Sequence, residues 1–592
     1  MNQCHAERRP SLVTGAQRAA SVLSAALVTS LVGISATPAA AATCASLAGL
    51  ALPDTTITAA QSVAAGTYTA PDGEVFADLP AFCRIAATLT PTSDSNIKIE
   101  VWMPYSGWNG RYLGTGNGGI AGLIVYRTLA LLLPLNYAVA NTDMGTSPAA
   151  TDPLGGRVLT GHPEKQIDYA TRSTNLMTVR SKRIIEAFYG EPSKHSYFLG
   201  CSTGGGQALH EALQFPGDYD GIVAGAPLMN NTHHAAGLLW DYAAFNSSPV
   251  DITAAQATAV TAAIVKKCAG KDGGLSSDNF LTDPRDCRWN PAALQCTGGA
   301  ADVGTCLTVP QVAAMRKLYE GPINPRTGER ILAGRVRGSE SNNGYPAVLA
   351  SRPGSTNTLT YWVFGNDFNV LNFDFDHDMD TLDDEQAARS NANTADLEEF
   401  KSHGGKLIIM HGFADPLVPT SNTVAYYERL IASQAREGRH DEEERKEALR
   451  RTQKFARLFL LPGVGHCSGG AGPDTVEGDP TMSGPNDPVP HIAGLALDPL
   501  EQWVEHGIAP DQIIAYKVTN GVTAFSRPVC PYPALPRYSG VGDTTKASSF
   551  TCIADRDRDD NQPPAPKYLN DGDNYPIVPI DDRDRDHDHD NR

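Results

Sequence analysis

SYFLGCSTGGGQAL, residues 196–209, is the stretch of this chain that decides its fold. A short apolar run at 197–199 is followed by a glycine-rich turn and then by helical spacing that ends before Pro216. This order predicts a buried strand, a sharp turn and a helix. Residues 200–204 fit the pattern G-x-S-x-G, in which a strained strand-to-helix turn lifts a serine hydroxyl above a sheet. Because a strand and a helix flank the pattern, we interpret Ser202 as a nucleophile rather than an ordinary turn serine.

Further strands and helices alternate along the chain. Strands are predicted at residues 97–103, 111–113, 137–140, 406–410 and 455–461, and a helix at 171–189. Strands that alternate with helices indicate a mostly parallel sheet covered on both faces. The active sites of such open sheets lie at the carboxyl ends of the strands. The sequence therefore predicts an α/β-hydrolase fold.

A serine nucleophile needs a base, and the base needs a carboxylate that orients it. In this fold the acid and then the histidine follow the serine along the chain. Asp415 and His466 follow the last two predicted strands in that order. Asp143 also follows a strand but precedes the serine, so we expect it to be a structural turn residue. The predicted catalytic triad is Ser202, His466 and Asp415.

Acyl transfer also needs hydrogen-bond donors for the oxyanion of the intermediate. The backbone N–H of Thr203, next after the nucleophile, is one donor by geometry. The second is expected from a loop after an early strand, and the glycine-rich loop at 116–119 is the candidate. The alternative for this loop is a plain glycine turn.

The N-terminus has the pattern of a secretory signal peptide. Arginines are followed by an apolar run at 22–34 and by four alanines at 39–42. A membrane anchor is the alternative, but the run is short for a membrane span. Export implies an oxidising compartment in which cysteines pair. We therefore expect a secreted protein.

Ten cysteines remain once Cys4 is removed with the signal peptide, which suits five disulfides. Cys201 adjoins Ser202 and Cys467 adjoins His466, so contact between the two catalytic side chains brings the two cysteines within disulfide range. The alternative is pairing of each with a neighbour in sequence. The other eight group naturally as Cys44 with Cys83, Cys268 with Cys287, Cys296 with Cys306, and Cys530 with Cys552.

The composition divides the chain into segments and excludes some partners. We predict a signal peptide at 1–42, the first part of the hydrolase domain at 43–227, an inserted, disulfide-containing lid domain at 228–393, the second part of the hydrolase domain at 394–553 and a disordered charged tail at 554–592. A metal-binding role for the His/Asp alternation of the tail is the less favoured reading. The net charge of -18 argues against nucleic acid and anionic membranes as partners.

Five sequence motifs resemble those of the tannase and feruloyl esterase family, which includes the bacterial hydrolase of mono(2-hydroxyethyl) terephthalate. They are WNGRYLGTGNGG at 108–119, SYFLGCSTGGGQAL at 196–209, FPGDYDGIVAGAP at 215–227, HGFADPLVP at 411–419 and LPGVGHCSGG at 461–470. The resemblance covers the chain from about Cys44 to Cys552. It implies that the second oxyanion donor is Gly119 and that catalysis needs no cofactor.

The resemblance also implies a structural calcium ion in the lid. Relatives carry aspartates between two paired cysteines, and the corresponding ligands here are Asp272, Asp278 and Phe280, between Cys268 and Cys287. Oxygen ligands at such spacing suit calcium. This chain has Ala269 where an aspartate is usual, and two extra residues separate the two aspartates. A metal-free, disulfide-closed loop is therefore the alternative.

The sequence thus predicts a secreted serine carboxylic-ester hydrolase. By resemblance its substrate is a small ester of an aromatic acid, or a plant polyphenol or cell-wall ester, as for a feruloyl esterase or tannase. The alternatives are a terephthalate-monoester or other aryl ester hydrolase, a peptidase with the same triad, and a secreted, non-catalytic binding protein on the same fold. Aromatic residues of the lid are candidates for an acyl pocket, although such residues are as often core: Tyr345, Tyr361, Trp362 and Phe364.

Overall fold

The computed structural model describes residues 42–119, 122–147, 156–246, 250–298, 304–342, 358–436, 442–475 and 491–554. The predicted signal peptide, apart from Ala42, and the predicted tail, apart from Ala554, lie outside these ranges. Tyr345 also lies outside them.

The strands alternate with helices over most of the described chain. The strands are β1 (Thr55–Val63), β2 (Gly66–Thr69), β3 (Val75–Leu79), β4 (Phe82–Leu89), β5 (Ile97–Pro104), β6 (Arg111–Thr115), β7 (Ala138–Thr142), β8 (His195–Cys201), β9 (Gly221–Gly225), β10 (Lys406–Gly412), β11 (Ala456–Leu461), β12 (Ile513–Thr519), β13 (Val522–Val529), β14 (Ala534–Tyr538) and β15 (Phe550–Ala554).

The α-helices are α1 (Tyr126–Leu132), α2 (Pro163–Ile167), α3 (Ser173–Tyr189), α4 (Thr203–Gln214), α5 (Asn231–Asn246), α6 (Ala254–Cys268), α7 (Val309–Glu320), α8 (Thr358–Phe364), α9 (His377–Ser390), α10 (Glu398–Ser402), α11 (Thr420–Ser433), α12 (Glu442–Thr452), α13 (His491–Gly494) and α14 (Leu497–His506). A π-helical turn, Asp168–Arg172, joins α2 to α3. None of the helices in the described ranges is long and apolar enough to span a membrane.

The main sheet of the described chain has nine strands in the order β1-β4-β5-β7-β6-β8-β9-β10-β11. The six strands from β7 to β11 in this order are parallel, whereas β5, β4 and β1 extend the sheet in antiparallel pairs. The prediction of a mostly parallel sheet is confirmed. Four parallel strands, β6, β8, β10 and β11, end at the same edge, and the predicted site residues follow these four ends.

Side chains alternate between the two faces of the central strands. On β8, Phe198 packs in the apolar core on one face, whereas Tyr197 and Leu199 pack in the core on the other. Helix α4 contributes Leu209 to the first core, and α14 contributes Leu500 to the second. Because the central strands are buried on both faces, their sequences are continuously apolar rather than alternating. This burial holds the strand ends in fixed relative positions.

Helices α5 to α9 lie in the region predicted to be a lid, and in the described part of that region no strand joins the main sheet. Two disulfides, Cys268–Cys287 and Cys296–Cys306, close loops within it. Its boundaries as a domain remain a prediction. The three aromatic candidates for an acyl pocket that lie in the described ranges are packing residues: Tyr361 and Trp362 are buried in an apolar cluster, against which Phe364 packs.

Candidate active site

Ser202 sits at a strained turn between β8 and α4. Its backbone has φ 62° and ψ -121°, a region that residues other than glycine rarely adopt. The Ser202 N–H donates to the carbonyl oxygen of Gly225 at 2.9 Å, and this bond ties the turn to the end of β9. The side chain of Ser202 is partly exposed. The predicted elbow is therefore present.

The glycines after Ser202 let the first turn of α4 approach two neighbouring segments. A Cβ atom at Gly204 would lie 2.8 Å from the carbonyl oxygen of Asn117, and one at Gly205 would lie 2.2 Å from that of Gly225. Both are backbone atoms that cannot move aside cheaply. Only glycine fits at these positions, and the nucleophile is thereby held against the loop that follows β6.

The three residues of the predicted triad form one chain of hydrogen bonds. The Ser202 hydroxyl donates to Nε2 of His466, with 2.8 Å between the two atoms. Nδ1 of His466 donates to Oδ2 of Asp415 at 2.7 Å. Because a carboxylate accepts only, the proton of the neutral imidazole lies on Nδ1, which leaves Nε2 free to accept from serine. This is the geometry required of a nucleophile, a base and an orienting acid.

Asp415 is fully buried and accepts hydrogen bonds on both oxygens. Oδ1 accepts from the N–H groups of Leu417 and Val418 at 2.7 and 3.0 Å, and Oδ2 accepts from Nε2 of His411 at 3.1 Å in addition to His466. Burial alone would raise the pKa of Asp415, but His466 and the hydrogen bond from His411 outweigh it and hold that pKa well below its usual value. Asp415 is therefore ionised wherever the protein is folded at moderate pH.

Two lid residues that sequence reasoning missed hold the loop that carries Asp415. Arg335 donates to the carbonyl oxygen of Leu417, and its Nε donates to Asp241 of α5 at 2.7 Å. Nδ2 of Asn342 donates to the carbonyl oxygen of Ala414 at 2.7 Å. No local pattern singles out either residue, because each acts on a loop more than seventy positions away.

The candidate oxyanion donors lie next to the nucleophile. In the described chain, the N–H groups of Gly119 and Thr203 have no hydrogen-bond acceptor. Gly119 has φ +61°, which glycine adopts without strain. Asp143, by contrast, accepts from the N–H groups of Lys98 and Gly145, and burial raises its pKa to about 6. Asp143 therefore supports a turn, as predicted.

The five predicted disulfides are all present, and one of them adjoins the triad. Cys201 is bonded to Cys467, with 6.1 Å between their Cα atoms, so the residues next to Ser202 and His466 are covalently joined. The other pairs are Cys44–Cys83, Cys268–Cys287, Cys296–Cys306 and Cys530–Cys552. The alternative pairing of Cys201 or Cys467 with a sequence neighbour is wrong.

The predicted calcium ligands are already engaged by other groups. The Asp272 carboxylate accepts four backbone N–H bonds, from Gly270, Gly274, Thr282 and Asp283. An ionised carboxylate has about four lone-pair sites, so none is left for a cation. Asp278 accepts from Nη2 of Arg527 at 3.0 Å and from the N–H of Leu275 at 3.4 Å.

Phe280 has only its backbone carbonyl oxygen to offer a cation, because its side chain carries no oxygen; that side chain is buried and its ring stacks on Phe525 with 6.0 Å between the centroids. Among the described residues, no group of three or more His, Cys, Asp or Glu side chains is arranged to hold a metal ion. The side chains at this loop therefore do not fit a calcium ion, since a guanidinium supplies the positive charge at Asp278.

We expect the melting temperature of the protein to be the same in excess CaCl₂ and in excess EGTA, because the Asp272 and Asp278 oxygens are occupied. Differential scanning calorimetry measures it. As a matched control, Arg527→Leu leaves the partly buried Asp278 carboxylate without its charged partner and should lower the melting temperature in both buffers. A rise of several degrees in the wild type on adding calcium would contradict this reading and support the calcium site that the resemblance implies.

Comparisons with known proteins identify the family of this chain. The family model described as tannase and feruloyl esterase matches residues 83–553. An uncharacterized esterase of Xanthomonas campestris is 37% identical over 542 residues, which are 87% of this chain and 92% of the relative. A probable feruloyl esterase B-2 of Neosartorya fischeri is 31% identical over 489 residues, 80% of this chain and 86% of the relative.

Solved structures show the same fold. Feruloyl esterase B from Aspergillus oryzae superposes with a TM-score of 0.74 at 27% identity. The superposition covers 86% of this chain and 98% of the Aspergillus oryzae chain. A tannin acyl hydrolase from Aspergillus niger shares the fold with a TM-score of 0.62 at 17% identity, over 85% of this chain and 92% of that one. The chain belongs to the tannase and feruloyl esterase family and is a carboxylic ester hydrolase with the α/β-hydrolase fold.

Proposed function

We propose that this protein is a secreted serine esterase that hydrolyses esters of aromatic acids through Ser202, His466 and Asp415. The observation that carries the proposal is the continuous hydrogen-bond chain from the Ser202 hydroxyl through His466 to the buried Asp415 carboxylate. These hydrogen-bonded side chains lie beside the backbone N–H groups of Gly119 and Thr203, which have no acceptor among the described residues. Nucleophile, base, acid and oxyanion donors are thus all available at one edge of the sheet.

Acylation begins when Oγ of Ser202 attacks the ester carbonyl carbon while its proton moves to Nε2 of His466. The negative charge that develops on the carbonyl oxygen is stabilised by the N–H groups of Thr203 and Gly119. Asp415 stabilises the imidazolium and keeps its proton on Nδ1. When the carbon–oxygen bond breaks, His466 returns the Nε2 proton to the departing alcohol, which leaves an acyl-serine.

Deacylation reverses these roles with water as the nucleophile. His466 takes a proton from water, the hydroxide attacks the acyl carbon, and the Ser202 oxygen leaves and recovers the proton from His466. The products are a carboxylic acid and an alcohol, and no cofactor is consumed. The low pKa of Asp415 keeps it ionised throughout, so it orients and stabilises the base without taking a proton.

The substrate class is supported by the names of relatives. The family model is described as tannase and feruloyl esterase, and a solved structure named feruloyl esterase B superposes over nearly its whole length. We therefore favour hydroxycinnamate and gallate esters of plant polyphenols or cell walls over terephthalate monoesters. Secretion is supported by the N-terminal pattern and by five disulfides, which form and persist in oxidising compartments.

The proposal is tested with a fluorophosphonate probe and a panel of methyl ferulate, methyl gallate and mono(2-hydroxyethyl) terephthalate. We expect covalent labelling at Ser202 and the highest kcat/KM on one of the first two esters. Ser202→Ala should abolish labelling and lower kcat by about 10⁴-fold or more, because triad members act as a unit. A Thr420→Ala variant, which lacks a hydroxyl outside the triad, is the control and should keep labelling. A protein that folds but is neither labelled nor active would be a binding protein instead.

The disulfide between Cys201 and Cys467 should be needed for catalysis. It links residues at a sequence separation of 266, for which the chain-entropy model gives a stabilisation of about 5.6 kcal/mol. It also limits the separation of Ser202 from His466, and a shift of about 1 Å at reacting groups can cost on the order of 100-fold in rate. We expect a Cys201→Ala/Cys467→Ala variant to be less stable and its folded fraction to be nearly inactive.

The matched control is the Cys530→Ala/Cys552→Ala variant, which lacks the disulfide between the residue that follows β13 and strand β15 but leaves the catalytic loops joined. It should lose stability but keep the kcat of its folded fraction, as measured by active-site titration. Equal specific activity of the two double variants would show that the bond at the triad stabilises the fold only.

A further inference from the structure

The second oxyanion donor belongs to a peptide that is anchored on both sides by the start of α4. The Gly118–Gly119 peptide carries the Gly119 N–H. On one side, the carbonyl oxygen of Asn117 accepts from the N–H of Gly204 at 2.7 Å. On the other side, the carbonyl oxygen of Gly119 accepts from the Thr203 hydroxyl at 2.8 Å. Thr203 and Gly204, the two residues that follow the nucleophile, therefore hold this peptide in place.

The anchoring matters because packing does not hold these glycines. Gly118 and Gly119 are exposed, and a Cβ atom built on either would meet no other atom within 4 Å. Glycine has the widest choice of backbone conformation of any residue. The direction of the Gly119 N–H therefore depends on hydrogen bonds to the flanking carbonyl groups.

A second hydroxyl reinforces the anchor at Gly119. The Tyr169 hydroxyl donates to the same carbonyl oxygen at 3.3 Å, so both lone pairs of that oxygen are engaged. Tyr169 is buried, and its ring contacts that of Trp362 on α8 edge to face with 5.6 Å between the centroids. The Trp362 indole N–H in turn donates to the carbonyl oxygen of Gly156 at 2.7 Å. Tyr169 is thus fixed by the lid.

We propose that the Thr203 side chain is a positioning group of the oxyanion hole, which holds the Gly119 carbonyl so that the Gly119 N–H points at the developing oxyanion. Thr203 then serves twice: its own N–H is one donor, and its hydroxyl sets the other. The inference rests on the proposed function, since it assigns a role to groups around that site. Tyr169 is the weaker, second anchor of the same carbonyl.

Removal of the Thr203 hydroxyl should weaken binding of the transition state but not of the substrate in its ground state. The ester carbonyl gains its negative charge only as the tetrahedral intermediate forms, so a misdirected donor lowers kcat and leaves KM nearly unchanged. One lost oxyanion donor costs about 100- to 1,000-fold in kcat, and a donor that is only loosened should cost less. The triad itself keeps its hydrogen bonds.

The test compares Thr203→Val, which keeps the shape and the backbone N–H, with Thr203→Ser, which keeps the hydroxyl. We expect Thr203→Val to lower kcat by about 10- to 100-fold with KM within about twofold of wild type, and Thr203→Ser to keep kcat within about threefold of wild type. The affinity for an aryl trifluoromethyl ketone, whose adduct carries an oxyanion, should fall in parallel with kcat in the Val variant.

Tyr169→Phe is the second variant, at a residue away from the nucleophile. It should lower kcat and ketone affinity by a smaller factor than Thr203→Val does. If Thr203→Val does not fold, Tyr169→Phe is the variant that tests the inference. The inference would be overturned if Thr203→Val had the same kcat and the same ketone affinity as the wild type. If only Tyr169→Phe folds, unchanged values in that variant would overturn it. Complete fluorophosphonate labelling in the same samples shows that the proposed nucleophile is intact. A wild type that is not labelled at Ser202 overturns the proposed function and this inference with it.

Discussion

The backbone of Ser202 lies in a region of conformational space that an L-amino acid occupies only when its surroundings force it to. Here close backbone contacts force it: Ser202 is the single residue between the end of β8 and the start of α4, and Gly204 and Gly205 let the first turn of α4 contact the loop after β6 and the end of β9. Because the central strands are buried on both faces, this turn cannot relax by shifting the sheet. The exposed serine and its open N–H groups are consequences of the same constraint.

The rest of the site is arranged around that turn by loops from three other parallel strands. The acid loop after β10 is held from within by hydrogen bonds to the Asp415 carboxylate and from outside by Arg335 and Asn342 of the lid region. The base loop after β11 is tied to the turn by a disulfide. The region predicted to be a lid thus contributes to the catalytic geometry, because its side chains donate hydrogen bonds to backbone carbonyl groups of the acid loop.

The sequence predicted the fold and the triad because both depend on short, local patterns. Apolar runs that end in Gly- and Asp-rich loops mark parallel strands, and parallel strands end at one edge, so Asp415 and His466 had to lie near Ser202. Strands β1, β4 and β9 were not predicted. β1 and β4 precede the strand–helix alternation on which the prediction relied, and β9 is only five residues long with a glycine at each end.

The contacts at Asp278 and at the acid loop were beyond local patterns, since Arg527 and Arg335 act from 249 and 82 positions away. The resemblance named Asp278 as a ligand but gave no information about the guanidinium beside it.

The bond between Cys201 and Cys467 has a further consequence for the intactness of the chain. It joins two residues at a sequence separation of 266 into one covalent ring, and the whole region predicted to be a lid lies inside that ring. A single proteolytic cut in an exposed loop of the lid would therefore open the ring without releasing a fragment, since the two pieces stay joined at the catalytic centre. Nicked and intact chains would have the same mass under non-reducing conditions, apart from one added water, and would separate only after reduction.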